Sequence, residues 1–322
     1  MQGPGGTRDI PPRAAGALLC PEPGTGTVGG DAASGGSALF RSHRPARGWG
    51  AIRRLPRIVR HRVTDPRWTL PPLRAAILSD LHVGAPWVSL GLLERIVAQV
   101  NALEPDIVLL PGDLLLDRNM WRFSRFVPAG QIAERLAALR APLGTWSILG
   151  NHDWVDCDLA RDTDHLRNSV IEAHAAHGLP LLRNEARHIP HGAGGFWLVG
   201  TDSQRARKSR EGGQRRYTSY LDAGAAFAGV PDGAPAIHMA HEPDYFASAD
   251  PRAFLQISGH THGGQIKLFG RYPKVPSDYG SRYAGGHICE NGNHLIVCRG
   301  IGYSGIPLRI GVPPEIAIVA LG

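Results

Sequence analysis

The sequence predicts an α/β fold with more than one sheet. Between residues 71 and 150, short apolar runs alternate with helical periodicity, and past residue 195 short strand-like runs continue with fewer clear helices between them. Alternation of the first kind implies parallel strands joined by helical crossovers. A third observation concerns chemistry: several of these runs end in Asp, Asn or His.

Taken in order, "RAAILSD" (74–80) reads as a buried strand and "VSLGLLERIVAQVNAL" (88–103) as a helix. "PDIVLLPGD" (105–113) is a second buried strand, "AGQIAERLAALRA" (129–141) a second helix, and "TWSILG" (145–150) a third strand. Strands buried on both faces read as continuous apolar runs, which these do. In the second half "GFWLVGTDS", "APAIHMAHEPD", "AFLQISGHTHGG", "HLIVCRG" and "PPEIAIVAL" each offer a short strand. The charge run "RARKSREGGQRR" (205–216) follows a strand and reads either as a solvated loop or as one facing substrate.

The chain of 322 residues is long enough for a full core. Residues 1–68 hold eleven Arg against four acids, a surplus equal to the whole formal net charge of +7, so residues 69–322 balance near zero. That distribution argues for a basic arm over 1–68 and a folded domain over 69–322. It argues against a basic groove and a stable nucleic-acid complex. Residues 1–40, rich in Gly, Pro, Ala and Ser, read as disordered. Over 48–63, Trp49, Ile52, Leu55, Ile58 and Val59 fall near helical spacing among Arg. This stretch reads as an interfacial segment on an anionic membrane, or as a helix or extended arm packed on the domain. Four Cys without close pairing suggest a reduced chain lacking a disulfide framework, and no apolar run approaches the roughly 20 residues that span a bilayer. A cytoplasmic, soluble or membrane-peripheral protein is expected.

Strand ends carry Asp80 and His82, Asp113, Asn151 with His152 and Asp153, His241, and His260 with His262. In an open α/β sheet ligands sit at the carboxyl ends of parallel strands, so residues distant in sequence converge there. Any one of these has an ordinary structural role open to it, a cap for Asp113 or a turn for Asn151. Two imidazoles at i and i+2 between glycines in "GHTHGG" are harder to explain without a target. Carboxylate oxygens with imidazoles suit Mn, Fe, Zn or Co, and the lack of thiolates disfavours a closed structural zinc site. Seven candidate ligands exceed one ion's need, and two ions sharing a carboxylate account for the number.

"SDLHVG", "PGD", "GNHD", "AHEPD" and "GHTHGG" stand here in the order of the signatures of the calcineurin-like metallophosphoesterases. The chain resembles that family over about 74–265, and its closing "CRGIGYSGIPLRIGVPPEIAIVAL" resembles a bacterial phosphodiesterase branch. The resemblance implies a four-layer αββα sandwich with two mixed sheets and a dinuclear site. It implies one divalent ion on Asp80, His82, Asp113 and His262 and another on Asp113, Asn151, His241 and His260, with His238 a poorer candidate than His241. His152 is implied as a catalytic non-ligand, Asn151 as an aid to phosphate positioning, and attack by a metal-bridging hydroxide as the reaction. Asp117 stands one residue later than the family's usual partner of the catalytic His, so Asp117, Asp153 or neither orients His152. A phosphodiester, lipid-linked or nucleotide-containing, is the expected substrate. A phosphomonoesterase, a protein phosphatase, a nucleotide pyrophosphatase and a non-catalytic scaffold are the alternatives.

Overall fold

The computed structural model describes residues 55–322, together with the strand backbone at Leu18–Leu19. The expected disorder of residues 1–40 and the greater part of the basic arm lie outside the described residues. Two mixed sheets form the centre. The first has the order Arg57–Val63, Glu315–Leu321, Leu73–Ile77, Ile107–Leu110, Thr145–Ser147, and the last three run parallel. The second has the order Leu18–Leu19, Gly286–Glu290, Asn293–Val297, Leu255–Ser258, Ala236–Met239, Gly194–Gly200, Glu185–His191, with four parallel strands at its middle.

Side-chain alternation explains why the sheets stack. In Leu73–Ile77 the residues Leu73, Ala75 and Ile77 point inward, against Phe196, Ile237 and Leu255 of the second sheet. Ala76 points outward, with Leu78 just beyond the strand, and Val108 and Leu110 do the same one strand over. There they meet helix Leu90–Asn101 through Leu93, Ile96 and Val100, and helix Ala129–Leu136 through Ile132 and Leu136. Ser89 caps the first of these helices by accepting the Leu92 N–H at 3.2 Å. The outer face of the second sheet is covered more thinly, by helix Ala223–Phe227 packing Phe227 on Val199 and by Phe246 packing on Leu295 and Val297. The result is the four-layer αββα arrangement, and the thin fourth layer accounts for the scarcity of helical periodicity past residue 195.

Two features refine the sequence reading. Of the alternatives for 48–63, Arg57–Val63 takes the extended one, a strand packed on the domain rather than a helix, paired in parallel with Glu315–Leu321 over seven residues. The first sheet therefore draws on a segment that the charge distribution assigned to the arm. Cys289 is disulfide-bonded, whereas Cys157 and Cys298 are free and buried, so the expectation of a chain without disulfides misses one. Among the described residues no helix is long and apolar enough to cross a membrane.

The turns that follow the parallel strands are pressed together to a degree that only glycine allows. Gly112 has φ +92°, and a Cβ there would lie 2.4 Å from the Gly150 nitrogen. A Cβ on Gly150 would lie 2.2 Å from Asp113 Oδ1. Replacing Gly150 with Ala is expected to push Asp113 out of place and to destabilise the chain by more than about 2 kcal/mol, read by chemical denaturation. For the edge strand, a chain starting at residue 66 is expected to melt about 5 °C or more below one starting at residue 55. The reason is that the cut exposes the Glu315–Leu321 edge and deletes Val63, which is buried.

Candidate metal centre

Because Leu73–Ile77, Ile107–Leu110 and Thr145–Ser147 are parallel, Asp80 with His82, Asp113, and Asn151 with His152 leave the first sheet at one edge. Ala236–Met239 and Leu255–Ser258 are parallel in the second sheet and bring His241, His260 and His262 to the same place. Backbone bonds tie these turns together: Asp80 N–H donates to Gly112 O at 3.1 Å, His82 N–H to Asp113 O at 3.1 Å, and Gly259 N–H to His241 O at 3.0 Å. The two sheets meet where His260 N–H donates to Asp80 Oδ1 at 2.9 Å.

The seven expected ligands are all buried and form two adjoining groups. Asp80, His82 and His262 present ligand atoms within 4.8 Å of one another, and so do Asp113, His241 and His260. His262 Nε2 lies 3.5 Å from Asp80 Oδ1 and 3.1 Å from His82 Nε2. Asp113 Oδ2 stands between the groups, 3.6 Å from His82 Nε2 and 3.1 Å from His241 Nε2. Asn151 Oδ1 lies 2.7 Å from His260 Nδ1. His238 is placed elsewhere, its Nε2 3.0 Å from Thr201 Oγ1 and its ring between Phe227 and Tyr245.

Three properties suit these groups to a divalent cation. First, the His260 and His241 Nε2 atoms are buried without a hydrogen-bond partner; His241 Nε2 is near Asp113 but out of line for one. A buried polar atom left in this way costs about 1–3 kcal/mol, which an ion would offset. Second, the far nitrogens of two rings are fixed: Nδ1 of His82 faces Leu115 O at 2.9 Å and Nδ1 of His241 faces Pro111 O at 2.6 Å. In the neutral ring, donation to those carbonyls leaves each Nε2 with its lone pair toward the centre. His262 differs, since its Nδ1 faces the guanidinium of half-buried Arg309 at 3.1 Å. Third, burial pushes His82 down to about 4, and burial followed by neighbouring cationic groups pushes His260 and His262 well below the usual range. Neutral rings are what metal binding needs. His241 moves the other way: burial opposes its charge, but the Asp113 carboxylate outweighs that and lifts it well above its usual value.

The backbone is strained at the same positions. Asp80 (φ 50°), His82 (φ 42°), Asp113 (φ 58°), His260 (φ 68°) and His262 (φ 52°) all adopt the left-handed region. Each such residue costs on the order of 1 kcal/mol, and strain of this kind gathers where side-chain aim matters more than backbone comfort.

His152 stands beside the expected ligands, its ring centroid 4.9 Å from that of His82, and borders a cavity of about 310 Å³. Its Nδ1 is 2.5 Å from Asp156 Oδ2 and 3.9 Å from Asp117 Oδ1. Asp156 is therefore the carboxylate that holds the ring, and neither residue considered from the sequence does so. Asn151–Val155 is a helix, not a simple turn, which brings residues 152 and 156 to one face. Asp117 is engaged by Ser304 Oγ at 2.9 Å and Gly305 N–H at 2.7 Å. Asp153 accepts the backbone N–H groups of Gly150, Asp113, Leu114 and Leu115. Burial lowers His152, but Asp113, then the bond and charge of Asp156, then Asp117 outweigh it and raise it to about 10. The 205–216 run forms a hairpin, Arg207–Glu211 with Gln214–Thr218, and its Lys208 and Arg215 line the cavity with Lys274.

A family profile described as Calcineurin-like phosphoesterase matches residues 73–264. The chain is 32% identical over 259 residues to a "Transmembrane protein with metallophosphoesterase domain" of Danio rerio, covering 79% of this chain and 54% of that one. It is 28% identical over 267 residues to "Phosphodiesterase YaeI" of Escherichia coli (strain K12), covering 82% and 87%. It is likewise 28% identical over 246 residues to the "Uncharacterized metallophosphoesterase YkuE" of Bacillus subtilis (strain 168), covering 76% and 77%. The chain spans about half the length of the first two curated relatives it matches. The profile covers more than half of the chain, and its span holds all five strand-end motifs with both groups of candidate ligands: the chain belongs to the calcineurin-like phosphoesterase family.

Proposed function

We propose that the chain is a dinuclear metal-dependent phosphodiesterase of the bacterial branch that includes YaeI. The observation that carries this reading is the pair of buried donor groups with Asp113 between them, set beside a cavity with His152 on its wall. Asp80, His82, Asp113 and His262 would hold one cation, and Asp113, Asn151, His241 and His260 the other. Divalent ions there supply Lewis-acid polarisation of a phosphoryl group and bring the ionisation of bound water toward neutral pH. Mn, Fe and Zn all fit oxygen and imidazole donors.

The chain's own groups do the rest. His152, fixed through Nδ1 by Asp156, donates a proton to the departing ester oxygen or offsets its charge. Asp156 is a positioning residue that keeps the ring in one orientation. Asn151 orients a phosphoryl oxygen from the ligand side. Lys208, Arg215 and Lys274 line the cavity with no carboxylate partner among the described residues and attract an anionic ester. The choice of a diester follows the likeness to the phosphodiesterase YaeI.

Replacing His152 with Ala is expected to lower kcat on bis(p-nitrophenyl) phosphate by about 10²–10⁴-fold while metal content by elemental analysis is unchanged. Loss of metal in step with activity would remove the role assigned to it. Asp156→Asn should lower kcat by about 10–100-fold with metal retained, and by more than Asp117→Asn does. Stripping divalent ions with a chelator should abolish turnover and lower Tm together. Faster hydrolysis of p-nitrophenyl phosphate than of the diester would favour the monoesterase alternative.

A further inference from the structure

Most of the exposed large apolar side chains lie on one rim of the catalytic cavity rather than scattered over the surface. Trp121, Phe123 and Phe126 stand out from the loop over 118–126. Leu268 and Phe269 stand out from the loop over 265–275, Phe269 being fully exposed. Ile306, Leu308 and Ile310 stand out from the loop over 303–310.

The three loops form one surface. Asp117 joins the first to the third by accepting from Ser304 Oγ and Gly305 N–H, and Trp87 fastens the first from below by donating to Phe123 O at 3.0 Å. The second and third are joined by Gln265 Nε2 donating to Ser304 O at 2.8 Å and by Lys267 N–H donating to Ile310 O at 2.8 Å. Gln265, Ser304 and Gly305 also line the cavity, so this surface borders its mouth on one side.

Its charge has one sign. None of the three loops contains Asp or Glu. Arg122 and Arg125 alternate with the three aromatics of the first loop, and Lys267 and Arg271 flank the apolar pair of the second. None of these four has a carboxylate partner among the described residues, and Lys274 is in the same condition at the cavity wall. An apolar patch of this kind in water marks an interaction site. Short apolar tips interleaved with cations match a headgroup layer, in which the tips enter the acyl boundary and the long basic side chains reach anionic phosphates.

We propose that this rim docks on an anionic lipid bilayer, with the cavity mouth facing the headgroups. The surface is built from residues outside the 1–68 segment, and binding is measured without turnover, so this inference and the phosphodiesterase reading can fail independently. The test is sedimentation of the full chain with vesicles of phosphatidylcholine alone or mixed with phosphatidylglycerol. The parent should pellet with the mixed vesicles and much less with the neutral ones. The double variant Leu268→Ser/Phe269→Ser should lose at least about tenfold in partitioning, and Lys267→Gln/Arg271→Gln should lose the preference for phosphatidylglycerol. Both variants should melt at the parent Tm, which checks folding. Failure of the parent to pellet, or unchanged pelleting of Leu268→Ser/Phe269→Ser, overturns the proposal. So does a parent dimer in gel filtration that the same variant converts to monomer, since the patch would then be covered by a second copy.

Discussion

The centre depends on one carboxylate that touches neither the cavity nor the candidate ligand atoms. Asp153 accepts N–H groups from Asp113, Leu114 and Leu115 after one strand and from Gly150 after the next, clamping the two turns together. Burial first, and then the nearby Asp113 charge, raise its pKa to about 6, while the backbone donors pull in the opposite direction. Four N–H dipoles are what allow a charge to be buried beside another carboxylate. With the turns clamped, Asp113 is held between both groups of rings and His152 N–H donates to its Oδ1 at 2.8 Å. Glycine at 112 and 150 makes that approach sterically possible.

Strain and desolvation at the strand ends point the same way. Left-handed backbone at Asp80, His82, Asp113, His260 and His262 is unfavourable, and buried ring nitrogens without partners are unfavourable too. Two hydrophobic sheets hold these residues in place against both costs, and a cation would recover them through coordination. Folding energy from the core is in this sense converted into a preorganised donor set. Arg309 adds a further constraint, because a half-buried guanidinium donating to the carbonyls of Gly302 and Arg299 and to His262 Nδ1 leaves that ring little room to turn.

How much of this could be read from the sequence depended on whether the governing partner was local. The parallel strands and their helices were legible because continuous apolar runs and 3.6-residue periodicity are local patterns. The donor residues were legible because each follows a strand directly. The place of Arg57–Val63 in the sheet was not, because its partner Glu315–Leu321 lies at the other end of the chain, and its Arg residues, which suit a protected sheet edge, left a helix and an extended arm equally open. Asp156 was missed for a related reason. Its link to His152 exists only if 151–155 is helical, and a five-residue helix beginning at the Asn of "GNHD" has no periodicity to announce it.

The same reasoning explains why the chemical class is legible in the chain while the substrate is not. Positions at the strand ends are fixed by backbone approach, burial and donor chemistry together, so few residue types satisfy them and the pattern persists as motifs. The hairpin Arg207–Glu211 with Gln214–Thr218 is exposed along its whole length, and the loops over 118–126, 265–275 and 303–310 expose their large side chains. Packing places little restriction on what those exposed positions carry. Their composition is therefore set by what they meet rather than by what they pack against, and their alternation of cations with large apolar groups is information about the surroundings of the cavity that the metal-binding motifs do not contain.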